Sequence, residues 1–575
     1  MTHHPLKPGS DIFCEALAQE DVELMFGIPG GVVVPLYDKI NKYGHRIRHI
    51  LPRQEQGGGF AADGYARVTG KAGVALGTSG PGATNLMTSI ANSMMDSVPT
   101  VYVTGQVTEG LIGTDAFQET DVIGMTMPIV KHSYFVNHAQ DIRRVIKEAF
   151  YIASTGRPGP VHIDFAKDAW LSTAPDDTNV TMDLPGYQPI PERCSDGDIQ
   201  RLEKLLERDG VKPVIIAGHG AELSGAHHEL LEFAERHHIP VTSTLLGLCA
   251  FPQWHHQWIG MVGMHGDAVA NFTVNAATLV ISIGSRFDDR ITGKVSAFIQ
   301  GKTFAHFEID PSEIGKNVPI DLPLSGDIRD SLTRANKLLS SHRFDAWWQW
   351  IEAQKERYGF LDFTLNPEKN TRDLSQPRLI QMLSDMTRGE AIVASDVGRN
   401  QMWTARFYRF KHPRSYLSSG GLGSMGYGLP AAIGAKLGLP EREVWAVSGD
   451  GGFMMNAQEM ATLMAYNIPV KMMVMEDGAL GMVRQWQNLL FDKNISHTDL
   501  KNPDFVALAA AFGIPAWRAR TYTEAAQGIE KARQAKGSAL VICHVDPDEY
   551  ILPMIPPNAA LGDQCLREED FKRSG

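Results

Sequence analysis

The amino-acid sequence predicts an α/β protein of three doubly wound, mainly parallel-sheet domains, and three observations lead there. Strand-like and helix-like stretches alternate along the chain, the pattern of parallel sheets covered by helices. At 575 residues the chain is too long for one hydrophobic core, and three domains of ordinary size fit it. Two polar, proline-bearing segments, Thr173–Asp198 and Leu361–Pro377, break the alternation and read as linkers. The expected domains are therefore residues 1–185, 186–370 and 371–545, with 546–575 as a C-terminal tail.

The last third carries the most informative elements. A β-type run, Val444–Ser448, leads into Gly449-Asp450-Gly451-Gly452, and a second apolar run, Pro469–Met475, delivers Glu476-Asp477. Adjacent parallel strands joined by a helical crossover would put both acidic residues at their carboxyl ends, where open α/β sheets bind ligands. Mg²⁺ needs such hard oxygen ligands, with a diphosphate supplying others, and glycines let the backbone approach that diphosphate. On spacing alone an ordinary turn fits as well. In the first third, Arg53-Gln54-Glu55-Gln56-Gly57 precedes a small-residue helix start, Phe60–Arg67, and Thr78–Asn85 is a glycine-rich strand-to-helix turn. Glycine-rich turns in the first and last thirds suit two related cofactor-binding domains.

Bulk properties narrow the class. The chain is 43% hydrophobic and 21% charged, with a net charge of −12, which argues against a nucleic-acid partner and an anionic membrane surface. No apolar run reaches the roughly 18 residues of a membrane span. Met1–Pro8 has neither an apolar signal region nor Arg/Ser-rich transit character. Five scattered cysteines form no CxxC pair, as expected in a reducing cytoplasm.

Together, the glycine-rich turns, Glu55 and the Asp450/Asp477 pair resemble the thiamine diphosphate (ThDP) enzyme superfamily. Six further motifs make the chain similar, nearly end to end, to acetohydroxyacid synthase catalytic subunits. They are Gly105-Gln106-Val107, Asp115-Ala116-Phe117-Gln118-Glu119, Gly156-Arg157-Pro158-Gly159-Pro160, Gly263-Met264-His265-Gly266, Arg286-Phe287-Asp288-Asp289-Arg290 and Gly481–Gln487.

The resemblance implies roles for individual residues. Glu55 would hydrogen-bond the aminopyrimidine ring, Gly423 would offer it a carbonyl, and Met425 would prop the bent cofactor. Gly398-Arg399-Asn400 would contact the diphosphate, where relatives usually carry Gly-Gln-His, and Gly449, Gly451 and Gly452 would line it. Asp450, Asp477 and the Ala479 carbonyl would hold Mg²⁺. Biosynthetic members usually show Asn-Asn at Glu476-Asp477, whereas FAD-free catabolic acetolactate synthases use aspartate as the second ligand. Gln54, where histidine is common, is another departure. In the middle third, Arg157, His265, Gly266, Arg286, Glu308, Asp310 and Asp327 match FAD-contacting segments, although His219 stands where relatives have glycine and could crowd the dinucleotide. Trp486 would shape the acceptor pocket and Arg290 would anchor the acceptor carboxylate, a surface ion pair with Asp288 or Asp289 being its plain alternative. Met264 and Phe117 would line the same pocket, with Gln118 and Lys167 counted beside Glu55 as catalytic.

The implied reaction decarboxylates pyruvate and condenses the hydroxyethyl unit with pyruvate or 2-oxobutyrate. The implied cofactors are ThDP, Mg²⁺ and FAD. The implied assembly is a homodimer or higher homo-oligomer, and a separate small regulatory subunit is a plausible partner. A catabolic FAD-free synthase, another ThDP enzyme such as a pyruvate oxidase, and a non-enzymatic paralogue stay open at this stage.

Overall fold

The computed structural model describes residues 5–189, 193–359 and 374–571. Three six-stranded sheets, each parallel throughout, carry the fold, and their helices supply the apolar cover that all-parallel sheets require. In the central strands Thr100–Gln106 and Pro160–Ala166 every residue is buried. The second expected linker, Leu361–Pro377, lies largely outside the described residues. Within the first, Thr173–Pro175 forms a short antiparallel strand with Leu6–Pro8, and Asp196 opens a helix.

Strand order separates the sheets into two kinds. Numbered by chain order within each sheet, the first and third both run 2-1-3-4-6-5 across the sheet, and the middle one runs 3-2-1-4-5-6. The latter is the order of dinucleotide-binding sheets, whose ligands lie at the carboxyl ends where the order reverses. The first and third sheets reverse between strands 1 and 3.

The first and third domains meet through two helices. Glu55–Thr69 is capped by the Gln54 side chain, which accepts from Gly57 N at 3.2 Å, and it ends at Gly70 with φ +73°. It packs on Gly428–Gly438 so closely that a Cβ on Gly64 would lie 2.2 Å from the Ala431 carbonyl oxygen, and one on Gly434 1.8 Å from that of Ala61. Backbone on the other side cannot yield cheaply. Gly434→Ala is expected to cost about 1–3 kcal/mol or more through overpacking, read as a lower urea midpoint; an unchanged midpoint would mean the helices separate freely.

Past the third sheet the chain turns back over the middle domain. Ile551 N donates to Gln485 Oε1 at 2.8 Å, Ile555 N to Met264 O at 2.8 Å, and Gln564 Nε2 to Ala268 O at 3.1 Å. All five cysteines are buried and unbridged. No helix among the described residues is long and apolar enough to cross a membrane.

Candidate active site

A cleft of about 1360 Å³ is walled by the middle and third domains, beyond the roughly 300–1,000 Å³ that suffices for one small ligand. Its third-domain wall includes Gly398, Asn400, Gly423, Met425, Asp477 and Ala479; Gly451 and Gly452 also face it. Its middle-domain wall includes Met264, His265, Arg286, Arg290, Glu308 and Asp327, with Arg157 reaching in from the first domain. Trp486, from the helix Gly481–Leu490, lines the same space.

The acidic pair sits as its flanking strands dictate. Val444–Gly449 and Lys471–Glu476 are parallel neighbours, with Gly449 beside Met475. Asp450 is 1% exposed and accepts from Gly451 N at 2.8 Å, Gly478 N at 2.7 Å and Asn502 Nδ2 at 2.7 Å. Burial, and secondarily the charge of Asp477, push its carboxyl up to about 7. Asp477 accepts from Ala479 N at 2.9 Å and is ion-paired with Arg399. Asp477 on the cleft lining and Asp450 buried beneath it are a donor set that a hard divalent cation would neutralise, so these residues fit Mg²⁺. Glu476 faces away, paired with Arg518.

The loop bearing Gly423 and Met425 is held from two sides. Asp396 lies beneath it, accepting from Gly426 N and Gly428 N, both at 3.0 Å, and its burial pushes its carboxyl up to about 6. From the first domain, Asp96 accepts from Gly420 N at 3.0 Å and Gly421 N at 2.7 Å. Gly423 has φ +72°, a conformation that glycine adopts without strain. A Cβ on Gly451 would stand 2.9 Å from Leu480 Cδ2 and in ordinary contact, 3.5 Å, with Met425 Cε.

Two predicted diphosphate contacts, Asn400 and Arg399, have amide and terminal guanidinium donors engaged inside the protein, while Arg399 Nε is buried without a partner. Asn400 Nδ2 donates to Asp396 O at 2.8 Å and Val447 O at 3.2 Å. Arg399 binds Asp477 and the carbonyls of Pro547 and Glu549, both at 2.8 Å.

On the middle-domain wall, Gly218 and Gly284 pack backbone to backbone, a Cβ on Gly218 lying 2.2 Å from the Gly284 oxygen. His265 Nδ1 and Ser285 Oγ are buried without a hydrogen-bond partner, and burial lowers the His265 pKa to about 3. Glu308, pushed up to about 7 by burial, accepts from Ile309 N and Asp310 N. Unpartnered polar atoms beside a dinucleotide-type switch point fit a flavin dinucleotide, with His219 also on the wall. Asp310 lies off the cleft lining, 3.4 Å from Arg157, which pairs with Glu313 at 2.8 Å. Gly266 is folded under the Met261 carbonyl, also off the lining. Asp327 caps the following helix through Asp330 N at 2.8 Å. Arg290 is more than half exposed and pairs with Asp289 at 3.2 Å.

Glu55, Phe117, Gln118 and Lys167 do not line this cleft. Glu55 accepts from Asn85 Nδ2 at 2.9 Å, and a Cβ on Gly82 would lie 3.4 Å from its Oε1. Gln118, at φ +62°, lies over Gly80 of the same turn. Lys167 opens a helix directly after the strand Pro160–Ala166. Phe117 is 88% exposed, and Leu111 and Ile112 on the same loop are exposed too. Glu55 thus lies apart from the cleft that Met425 and Asp477 line. Sequence reasoning missed Asn502, Asp396 and Asp96, whose tasks are set by contacts far along the chain; only the buried-type runs beside them could have hinted at those tasks.

Three family models match in succession: the thiamine pyrophosphate enzyme N-terminal TPP binding domain at residues 7–125, the central domain at 199–335 and the C-terminal TPP binding domain at 396–543. The fold and site are therefore those of a thiamine pyrophosphate enzyme. The chain is 42% identical over 564 residues to the acetolactate synthase of Mycobacterium leprae, covering 96% of this chain and 89% of that protein. It is 42% identical over 567 residues to the acetolactate synthase large subunit of Corynebacterium glutamicum (96% and 89%). It is 42% identical over 584 residues to acetolactate synthase 2, chloroplastic, of Nicotiana tabacum (99% and 86%). The chain belongs to the acetolactate synthase family.

Proposed function

We propose that the chain is a ThDP-dependent catalytic subunit that decarboxylates pyruvate and joins the two-carbon unit to pyruvate or 2-oxobutyrate. The products are 2-acetolactate and 2-aceto-2-hydroxybutyrate, in branched-chain amino acid biosynthesis. The observation that carries this reading is Met425, Asp477 and Trp486 on one cleft, with Asp450 buried beneath.

When bound, ThDP supplies the electron sink that side chains lack. Asp450, Asp477 and the Ala479 carbonyl would hold Mg²⁺, while Gly398, Gly449, Gly451 and Gly452 would admit the diphosphate. Met425 would support the cofactor and Gly423 would offer it a carbonyl. Glu55 comes from a second copy of the chain and holds a proton on the aminopyrimidine ring; Phe117, Gln118 and Lys167 arrive with it. The separation of Glu55 from the cleft supports a homodimer as the minimum active unit. Arg290 exchanges Asp289 for the acceptor carboxylate through a bidentate fork. Arg157, His265, Arg286, Glu308 and Asp327 would hold FAD. A small regulatory subunit and a cytoplasmic location complete the reading.

Product analysis with ThDP, Mg²⁺, FAD and equimolar pyruvate and 2-oxobutyrate tests it. Acetohydroxybutyrate should dominate, and acetate or acetaldehyde without carboligation would overturn the assignment. Asp477 favours one second reading, a catabolic FAD-free synthase, which absent flavin absorbance and acetolactate as sole product would support. Trp486→Leu should cut the preference for 2-oxobutyrate over pyruvate about 10–200-fold, the worth of one methylene in an apolar pocket. An unchanged product ratio would remove Trp486 from acceptor choice.

A further inference from the structure

Within the proposed cofactor site, Arg399 sits 3% exposed at the start of the helix Arg399–Phe407. One terminal nitrogen binds Asp477 Oδ2, and the other donates to the Pro547 and Glu549 carbonyls at 2.8 Å each. Asp546 O lies 3.4 Å from the first. Gly481 leaves room for the guanidinium, since a Cβ there would stand 2.3 Å from Nε. Asp477 has no other cationic partner among the described residues. Glu476, its neighbour, is neutralised separately by Arg518.

The Arg399 guanidinium, paired with Asp477, makes the site one charge less negative than its carboxylates alone would make it. That difference acts oppositely on the two ligands of the site. A cation is held less tightly when Asp477 is already paired, and a polyanionic diphosphate is repelled less. Both partners are buried, and charge pairs are screened little there.

We propose that Arg399 is a positioning residue that sets the charge of the Mg²⁺–diphosphate site through Asp477, so that the two form one unit balancing cation against anion affinity. This rests on the reading of the cleft as a ThDP–Mg²⁺ site. It assigns Arg399 a task different from direct phosphate contact, because its terminal donors are committed to Asp477 and to backbone carbonyls.

The test is a double-mutant cycle on the full chain, read by quenching of tryptophan fluorescence on titration with ThDP at saturating Mg²⁺, and with Mg²⁺ at saturating ThDP. Arg399→Gln should raise the ThDP half-saturation about tenfold and lower that of Mg²⁺; Asp477→Asn should do the reverse, and Arg399→Gln/Asp477→Asn should bring both back toward wild type. Arg399→Lys, which keeps the charge but not the fork, should hold the wild-type balance between the two ligands, and it carries the test if Arg399→Gln does not fold. Single variants that weaken both ligands, with a double variant worse than either, would reduce Arg399 to a packing role and overturn the proposal. Wild-type protein that fails to bind ThDP with Mg²⁺ would instead overturn the underlying cofactor reading, and the proposal with it.

Discussion

Glu55→Gln should lower kcat by about 10²–10⁴-fold, the usual worth of a positioned proton carrier, while the protein still binds ThDP. Glutamine keeps the shape and the Asn85 contact but cannot share a proton with the ring. An unchanged kcat would remove Glu55 from the chemistry. The same residue tests which chain serves which cleft. Glu55→Gln and Asp450→Asn chains are each expected to be inactive. Exchanged into mixed dimers, they place both lesions in one site and leave the other intact. With random pairing in a two-fold dimer, about a quarter of wild-type activity should return. A mixture that stays inactive would mean that each Glu55 serves its own chain.

The second large effect is structural. Arg67 bridges Asp63 at 2.6 Å and Asp96 at 2.7 Å, and all three are buried. Tyr427 OH donates to Asp63 at 2.8 Å, and Asp96 holds the backbone of Gly420 and Gly421. Arg67→Met leaves two buried carboxylates without their cation, at an expected cost of about 3–5 kcal/mol. Because Asp96 anchors the loop that leads to Met425, ThDP affinity should fall together with the urea midpoint. A loss of midpoint with ThDP affinity intact would show that the anchor does not govern that loop.

Much of this is legible in the chain, for reasons that are physical. The runs Val444–Ser448 and Pro469–Met475 are buried-strand patterns, and adjacent parallel strands must deliver the residues at their carboxyl ends to one edge; Asp450 and Asp477 meet there as expected. The pairing that depends on folding is not legible. Arg399 finds Asp477 rather than an open phosphate site because the chain from Asp546 to Glu549 closes over it. Gln54 departs from the usual histidine, and only the folded chain shows its side chain capping the helix of Glu55. Strand order, and with it the dinucleotide-type reversal of the middle sheet, depends on crossovers that hydrophobic pattern does not encode. Nor does the sequence show that Glu55 lies apart from the cleft that Met425 lines, since that depends on how two domains pack.

That packing has a further meaning. The helices Glu55–Thr69 and Gly428–Gly438 each join the second and third strands of sheets with the same order. They touch reciprocally, Gly64 against Ala431 and Gly434 against Ala61. Such mutual contact between equivalent parts is the mark of a two-fold interface. Here that geometry is made within a single polypeptide, between its first and third domains.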